Sequence, residues 1–197
     1  MQELSDSKKI ILETNLRAYF FNALVELNKK SLCPIPESII FYSSDVLNKF
    51  SHSNNYFEMV DGKIRDKILG VKLLEATQLT REDQKRRYLE VGESSLVLCG
   101  YFSESVNKKL IDIQYYSQLG KMAYNHLNNL VPSFLDIPSF YGMVSTSFEV
   151  TVNLISIFAS KSRKSVSIYD RVLNNQKVTD QEMFALGITP NRATKAS

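Results

Sequence analysis

The stretch Tyr88–Leu127, YLEVGESSLVLCGYFSESVNKKLIDIQYYSQLGKMAYNHL, decides how the rest of the chain is read. An apolar segment containing Gly92 and Gly100 runs into a short polar joint, Ser103 to Lys109. A tyrosine-rich segment with its own Gly120 follows. All three glycines fall in patterns of helical period, where each costs about 1 kcal/mol relative to alanine. Repeated acceptance of that cost implies close approach of packed elements, so the two segments are expected to form a tight helical hairpin. With 3.6 residues per turn, Tyr88, Gly92, Ser95, Cys99 and Phe102 share one face of the first segment. Leu89, Glu93, Leu96 and Gly100 share the adjoining face, and Ile113, Tyr116, Gly120, Tyr124 and Leu127 share a side of the second segment.

Working outward, Thr80-Arg-Glu-Asp83 caps the first of these helices with an acidic opening turn, predicting a helix over Thr80–Phe102. Asp112 caps the second, Asp112–Leu130. Upstream, apolar residues at Ile10, Ile11, Leu16, Phe20, Leu24 and Leu27 predict a first helix from about Ser7 to Lys30. Pro34 and Pro36 end it, and Pro36 opens a second helix to about Phe50. Ser51–Asn55 reads as a polar loop, Asp61-Gly62 as a turn, and Lys63–Ala76 as a third helix with Ile64, Ile68, Val71 and Leu74 on one face. Downstream, Pro132 and Pro138 bracket a loop, and a sixth helix opens at Pro138 or Ser139. Phe148, Val150, Val152 and Leu154 alternate as in a strand, but the run has no turn signal and also fits a helical face, so its length favours helix. Short helices are expected over Ser165–Leu173 and Asp180–Leu186. The fold class expected is all-α: one helical domain over residues 1–190, a bundle of about six main helices, with 191–197 a flexible C-terminal tail.

The chain has 197 residues, a length typical of one domain. Its two cysteines, Cys33 and Cys99, lie in apolar surroundings that suit reduced thiols rather than a disulfide framework. The opening MQELSDSKK lacks a basic region followed by an apolar run, so no signal peptide is expected. The most apolar run, Met143 to Ala159, contains Glu149 and Asn153, so no membrane span is expected either. These readings give a cytoplasmic protein. A net formal charge of +3 is a small excess for a nucleic-acid binder.

Catalytic and cofactor signatures are missing. Lys49 and Ala123 stand three residues before His52 and His126, so neither histidine belongs to the Glu-x-x-His pair of a di-iron bundle. Two histidines and two dispersed cysteines make no zinc motif, and phosphate-loop, dinucleotide and nucleophile-elbow patterns are all absent. No cofactor, metal ligand or catalytic residue is therefore assigned. Glu93 is expected to be partly buried, accepting hydrogen bonds from a tyrosine hydroxyl or a neighbouring cation. Such a group either fixes helix register or marks a site. The candidate ligand-binding residues are Tyr88, Glu93, Ser95, Asp112, Tyr116 and Tyr124, around a pocket between helices 80–102 and 112–130. Arg81, Lys85, Arg86 and Arg87 concentrate positive charge where an anionic partner could bind, although Glu82, Asp83 and Glu90 are interspersed.

The run Val91-Gly-Glu-Ser-Ser-Leu-Val-Leu-Cys-Gly-Tyr-Phe-Ser-Glu-Ser105, with Ile111-Asp-Ile-Gln-Tyr-Tyr116 and Gly120-Lys-Met-Ala-Tyr124, resembles an uncharacterised family of bacterial cytosolic proteins. There a GD-x-SL-x-x-SG-F-F segment leads to D-x-D-Y-Y-x-x-x-G-x-x-A-Y. The resemblance implies a predominantly helical fold and carries no activity. This chain departs from the pattern at Cys99, usually Ser, and at Gln114, usually Asp, so a ligand held by that second acid would lose it here. The leading expectation is a non-catalytic interaction or regulatory protein, with a protein partner or a homodimer. A small-ligand-binding protein or enzyme comes next, and nucleic-acid or anionic-partner binding last.

Overall fold

Helix formation begins at Asn15, whose side-chain oxygen accepts from the Arg17 backbone N–H at 3.0 Å and starts α1, Leu16–Asn28. The computed structural model describes residues 15–51, 57–60, 63–66, 68–103, 112–130, 139–173 and 179. The helix expected from Ser7 is corrected at its start: Asn15 is extended, with φ −124° and ψ 112°, so α1 begins only at Leu16, and residues 7–14 lie outside the described residues. So do the polar loop after Ser51, most of the 103–109 joint, the 132–138 loop, the 180–186 helix and the tail. After α1 the Asn28 side chain clamps the proline-bearing turn: its amide donates to the Ile35 carbonyl and accepts from the Ile35 N–H, both at 2.9 Å. Pro36 then caps α2, Glu37–Lys49. Ile39, Ile40, Ser43, Val46, Leu47 and Phe50 form its buried stripe at helical spacing.

The expected third helix from Lys63 is corrected at its start. Phe57–Val60 (β1) and Lys63–Asp66 (β2) pair antiparallel, Phe57 opposite Asp66 and Val60 opposite Lys63, and α3 begins only at Leu69 and ends at Ala76. That register leaves two residues between the strands, and they are Asp61-Gly62. An Asp-Gly pair is a strong short-range hairpin signal because both positions of a type I′ turn need positive φ. The helical spacing of Ile64 and Ile68 is thus coincidental, and the paired strands take residues 63–66 instead.

Helix α4 covers Arg81–Gly100 and α5 covers Ile113–Leu130, within two residues of the expected spans. Thr80 caps α4: its hydroxyl accepts from the Asp83 N–H at 3.4 Å and donates to the Asp83 carboxylate at 2.7 Å. The segment that alternates like a strand is helical, and the single sixth helix expected to open at Pro138 or Ser139 is two helices. α6, Phe140–Thr146, and α7, Phe148–Leu173, meet at Ser147 with a bend of 68° between them. Phe148, Thr151, Leu154, Ile155, Phe158 and Ala159 are buried, a helical stripe rather than alternate residues. α7 also takes in the separate helix expected at Ser165–Leu173.

Among the described residues seven helices make the protein all-α, and the two-stranded hairpin is the one sheet element. Asn15–Ala159 form one compact unit; of the other, residues 1–14 and 160–197, the structure describes the α7 run 160–173 and Thr179. Among the described residues no single helix is long and apolar enough to cross a membrane. α6 and the first part of α7 reach that length and composition only together, across their bend, and Val144, Phe148, Ile155 and Phe158 within them are core residues.

The three glycines explain how α4, α5 and α7 close up. A Cβ on Gly92 would stand 2.9–3.0 Å from three atoms of the Tyr124 ring. On Gly100 it would stand 2.7 and 2.8 Å from Cγ2 and Cβ of Ile155. On Gly120 it would stand 2.9 Å from the Ser95 Cβ, 2.6 Å from Cε2 of Phe148 and closer still to Cζ. All are nearer than ordinary carbon–carbon contact. The hairpin expected from these glycines is present, with one refinement. They receive whole side chains as well as a neighbouring helix, and Gly100 and Gly120 seat residues of α7. Tyr124 and Phe148, the two largest fully buried side chains, occupy the space that glycine leaves.

Candidate functional site

Glu93 projects from the middle of α4 and is 6% exposed. Its partners come from α2. Lys49 Nζ donates to Glu93 Oε2, and the Tyr42 hydroxyl lies at 3.5 Å from Oε1, a long hydrogen bond. Tyr42 in turn sits 3.0 Å from the hydroxyl of Tyr124 on α5. If Tyr42 donates to the carboxylate, Tyr124 is left to donate to Tyr42, and the proton order of the chain follows. Rings reinforce the contact. Tyr42 meets Tyr124 edge-on at 6.1 Å and Phe140 edge-on at 5.3 Å, while Tyr141 lies nearly parallel to Tyr124 at 6.3 Å. The result is a polar knot between α2, α4 and α5, roofed by the aromatic start of α6.

Burial holds both hydroxyls of the knot neutral. It pushes Tyr42 well above the usual tyrosine range, with Tyr124 and Glu93 adding to the effect. Tyr124 is also raised, by burial first and by Glu93 and Tyr141, against an opposing contribution from its bond to Tyr42. Tyr141 is raised by burial and then by Glu93. Neutral phenols beside a carboxylate that already holds a lysine form a closed hydrogen-bonded set, one that fixes how three helices meet.

The sequence-derived candidates divide. Glu93 and Tyr124 meet through Tyr42. Tyr88 is buried and stacks on His126 of α5, centroids 5.0 Å apart and planes at 19°. Ser95 is fully buried against Gly120, and the hydroxyls of Ser94 and Ser95 find no partner among the described residues. Asp112 is exposed and caps α5, accepting from the Gln114 N–H at 3.3 Å. It stands twelve residues from Tyr124, about 18 Å along the helix. Tyr116 is half-buried beside Tyr115, rings 5.4 Å apart. The expected face of Tyr88, Gly92, Ser95 and Cys99 does point at α5, since the Cys99 thiol reaches the Ile113 carbonyl at 3.6 Å. Burial pushes that thiol up to about 12, so it packs as an apolar side chain. The space between α4 and α5 at Gly92 and Gly120 is taken by Tyr124 and Phe148.

The basic cluster is engaged residue by residue. Lys85 pairs with Glu82 at 2.8 Å, Arg86 with Asp83 at 3.9 Å, Arg87 with Glu90 at 3.2 Å, and Arg81 donates to the Leu130 carbonyl at 3.0 Å. Four cations that read as a patch along the sequence are thus held by neighbouring acids and by the C-terminal end of α5.

Sequence reasoning missed Tyr42, Lys49 and Tyr141. Tyr42 and Lys49 stand seven residues apart, about two turns, so they share a face of α2, and that spacing was available as a signal. Their pairing with Glu93 depends on how α2 crosses α4. The structure also has an open depression of about 580 Å³ lined by Phe21 of α1, Glu37, Ser38, Phe41, Tyr42 and Asp45 of α2, and Phe140 of α6. Compared with known proteins, the chain matches no family model, no curated protein and no solved structure.

Proposed function

We propose that this is a non-catalytic interaction or regulatory protein of the cytosol, acting through a protein partner or a second copy of itself. The observation that carries the reading is the outer face of α3. Val71 and Leu74 are 47% and 73% exposed, and Ile68, the residue that precedes the helix, is 65% exposed, together an apolar stripe of the kind used to seat a partner helix. The central hairpin supports the same reading from the other side. Its buried carboxylate, Glu93, is held by Lys49 and Tyr42 of α2, and its glycines are filled by the side chains of Tyr124, Ile155 and Phe148 rather than left as a pocket. Cys33 and Cys99 are both free thiols, which suits a reducing compartment.

Sedimentation velocity across a concentration series, paired with cross-linking and affinity capture, tests the proposal. The 22.5 kDa chain is expected to self-associate or to retain a partner. Burying a leucine contributes about 1.5–3 kcal/mol, so Leu74→Glu should weaken association tenfold or more while leaving the fold intact. A monomer at every concentration, with no captured protein that depends on Leu74, would overturn the reading.

A further inference from the structure

The depression lined by α1, α2 and α6 combines two chemistries. Its floor is aromatic, with Phe21 and Phe41 edge-on at 6.1 Å and Tyr42 and Phe140 edge-on at 5.3 Å. Its rim carries two carboxylates, Glu37 and Asp45. They stand eight residues apart on α2, about 12 Å along the axis, with Phe41 midway at one-turn spacing. Phe41 is 50% exposed, an unusual position for a phenylalanine beside so much buried surface.

One end of this arrangement already holds a cation. The Arg17 guanidinium lies over the Phe41 ring, 4.1 Å from its centroid, and its Nε reaches Asp45 Oδ1 at 2.6 Å. A planar cation can thus stack on a ring and pair with a carboxylate at once, the dual fit that distinguishes arginine from lysine. At the other end, Glu37 offers the same carboxylate with no cationic partner among the described residues.

We propose that this depression docks an arginine-bearing segment of a partner protein, one guanidinium pairing with Glu37 over the aromatic floor as Arg17 does with Asp45. Charge complementarity selects the occupant. A chain of net charge +3 here presents the exposed carboxylate of Glu37 beside the exposed ring of Phe41, with Asp45 already held by Arg17. An open, elongated floor between two rim acids suits a peptide with several side chains better than a single small amine. This surface is separate from the α3 stripe, so the proposal goes beyond the function proposed above. Failure of peptide binding would leave the Leu74 experiment unaffected.

The test is titration of the full chain with N-acetyl hexa-arginine amide, followed by amide chemical shifts. Saturable shifts centred on residues 37–45 and Phe140 are expected, with hexa-lysine weaker and hexa-glutamate inert. Exposed charge pairs and cation–π contacts are individually small, so Glu37→Gln and Phe41→Ala should each weaken binding about two- to fivefold. Arg17→Ala, which frees Asp45, should strengthen it by a similar factor. Phe41 and Glu37 are surface residues, and far-UV circular dichroism checks that the variants remain folded. Unsaturable binding, shifts centred elsewhere, or affinity unchanged across the three variants overturns the proposal. Spermine matching the peptide would also overturn it, because the site would then belong to a small polyamine.

Discussion

Gly120→Ala tests the packing on which the centre of the protein depends. The added methyl would stand 2.6 Å from Cε2 of Phe148, closer still to Cζ, and 2.9 Å from the Ser95 Cβ. Carbon atoms pack comfortably at about 3.5–4.0 Å, so the overlap is close to 1 Å on two sides. Phe148 and Ser95 are both fully buried, so neither can swing into solvent. Relief requires α4 or α7 to move. Overpacking of this kind costs about 1–3 kcal/mol, and the upper part of that range applies because two helices are involved. Alanine's better helix propensity returns about 1 kcal/mol, leaving a net loss of about 1–2 kcal/mol. For a chain of this size that lowers Tm by about 2–8 °C. Urea unfolding of the two proteins gives the difference directly. Gly70→Ala is the control: its methyl would meet only the hydroxyl end of Tyr115, a partly exposed side chain able to rotate aside. That variant should match the wild type or exceed it by up to about 1 kcal/mol. In a Phe148→Leu background the cost of Gly120→Ala should shrink. If Gly120→Ala is as stable as the wild type, or less harmful than Gly70→Ala, the packing argument is wrong.

The raised tyrosines make stability pH-dependent on the alkaline side. Below about pH 9 Tyr42 and Tyr124 are neutral in both states. An unfolded tyrosine loses its proton near pH 10, while the folded ones hold theirs well above it. The unfolded chain then binds fewer protons, so stability falls as pH rises beyond about 10. Urea midpoints at rising pH should show this slope, reduced in Tyr42→Phe and Tyr124→Phe. Absorbance at 295 nm should show these phenols ionising only as the chain unfolds, and their titration near pH 10 in the folded state would contradict the burial argument. Ser95→Ala removes a buried hydroxyl that has no partner among the described residues. It should therefore raise stability by about 1 kcal/mol, and a clear loss by urea unfolding would show that the hydroxyl is used.

Local patterns along the chain were enough to establish α2, α4 and α5, because their causes are local. Thr80 and Asp112 cap the helices that follow them, Pro36 opens α2, and Gly92, Gly100 and Gly120 signal side-chain-free surface whatever comes to fill it. The helical face of Tyr88, Gly92, Ser95 and Cys99 follows from 3.6 residues per turn alone, as does the burial of Glu93 on the adjoining face. The Lys63–Asp66 strand shows where such reasoning fails. A four-residue segment holds too little periodicity to choose between strand and helix, and its pairing with Phe57–Val60 decides for strand.

Only the tertiary structure decided what each surface meets. Nothing within α4 says that Glu93 faces α2 rather than α5, so Lys49 and Tyr42 could not be named from its neighbours in sequence. The basic residues after Thr80 looked like a patch until folding set each beside an acid or a helix end. The bend at Ser147 brings Phe148 against Gly120 and the start of α6 over Tyr42. The depression beside Phe41 exists because α1, α2 and α6 converge there from distant parts of the chain. Helix propensity and capping act over a few residues, whereas pairing and concavity depend on how rigid helices cross, which no window of sequence contains.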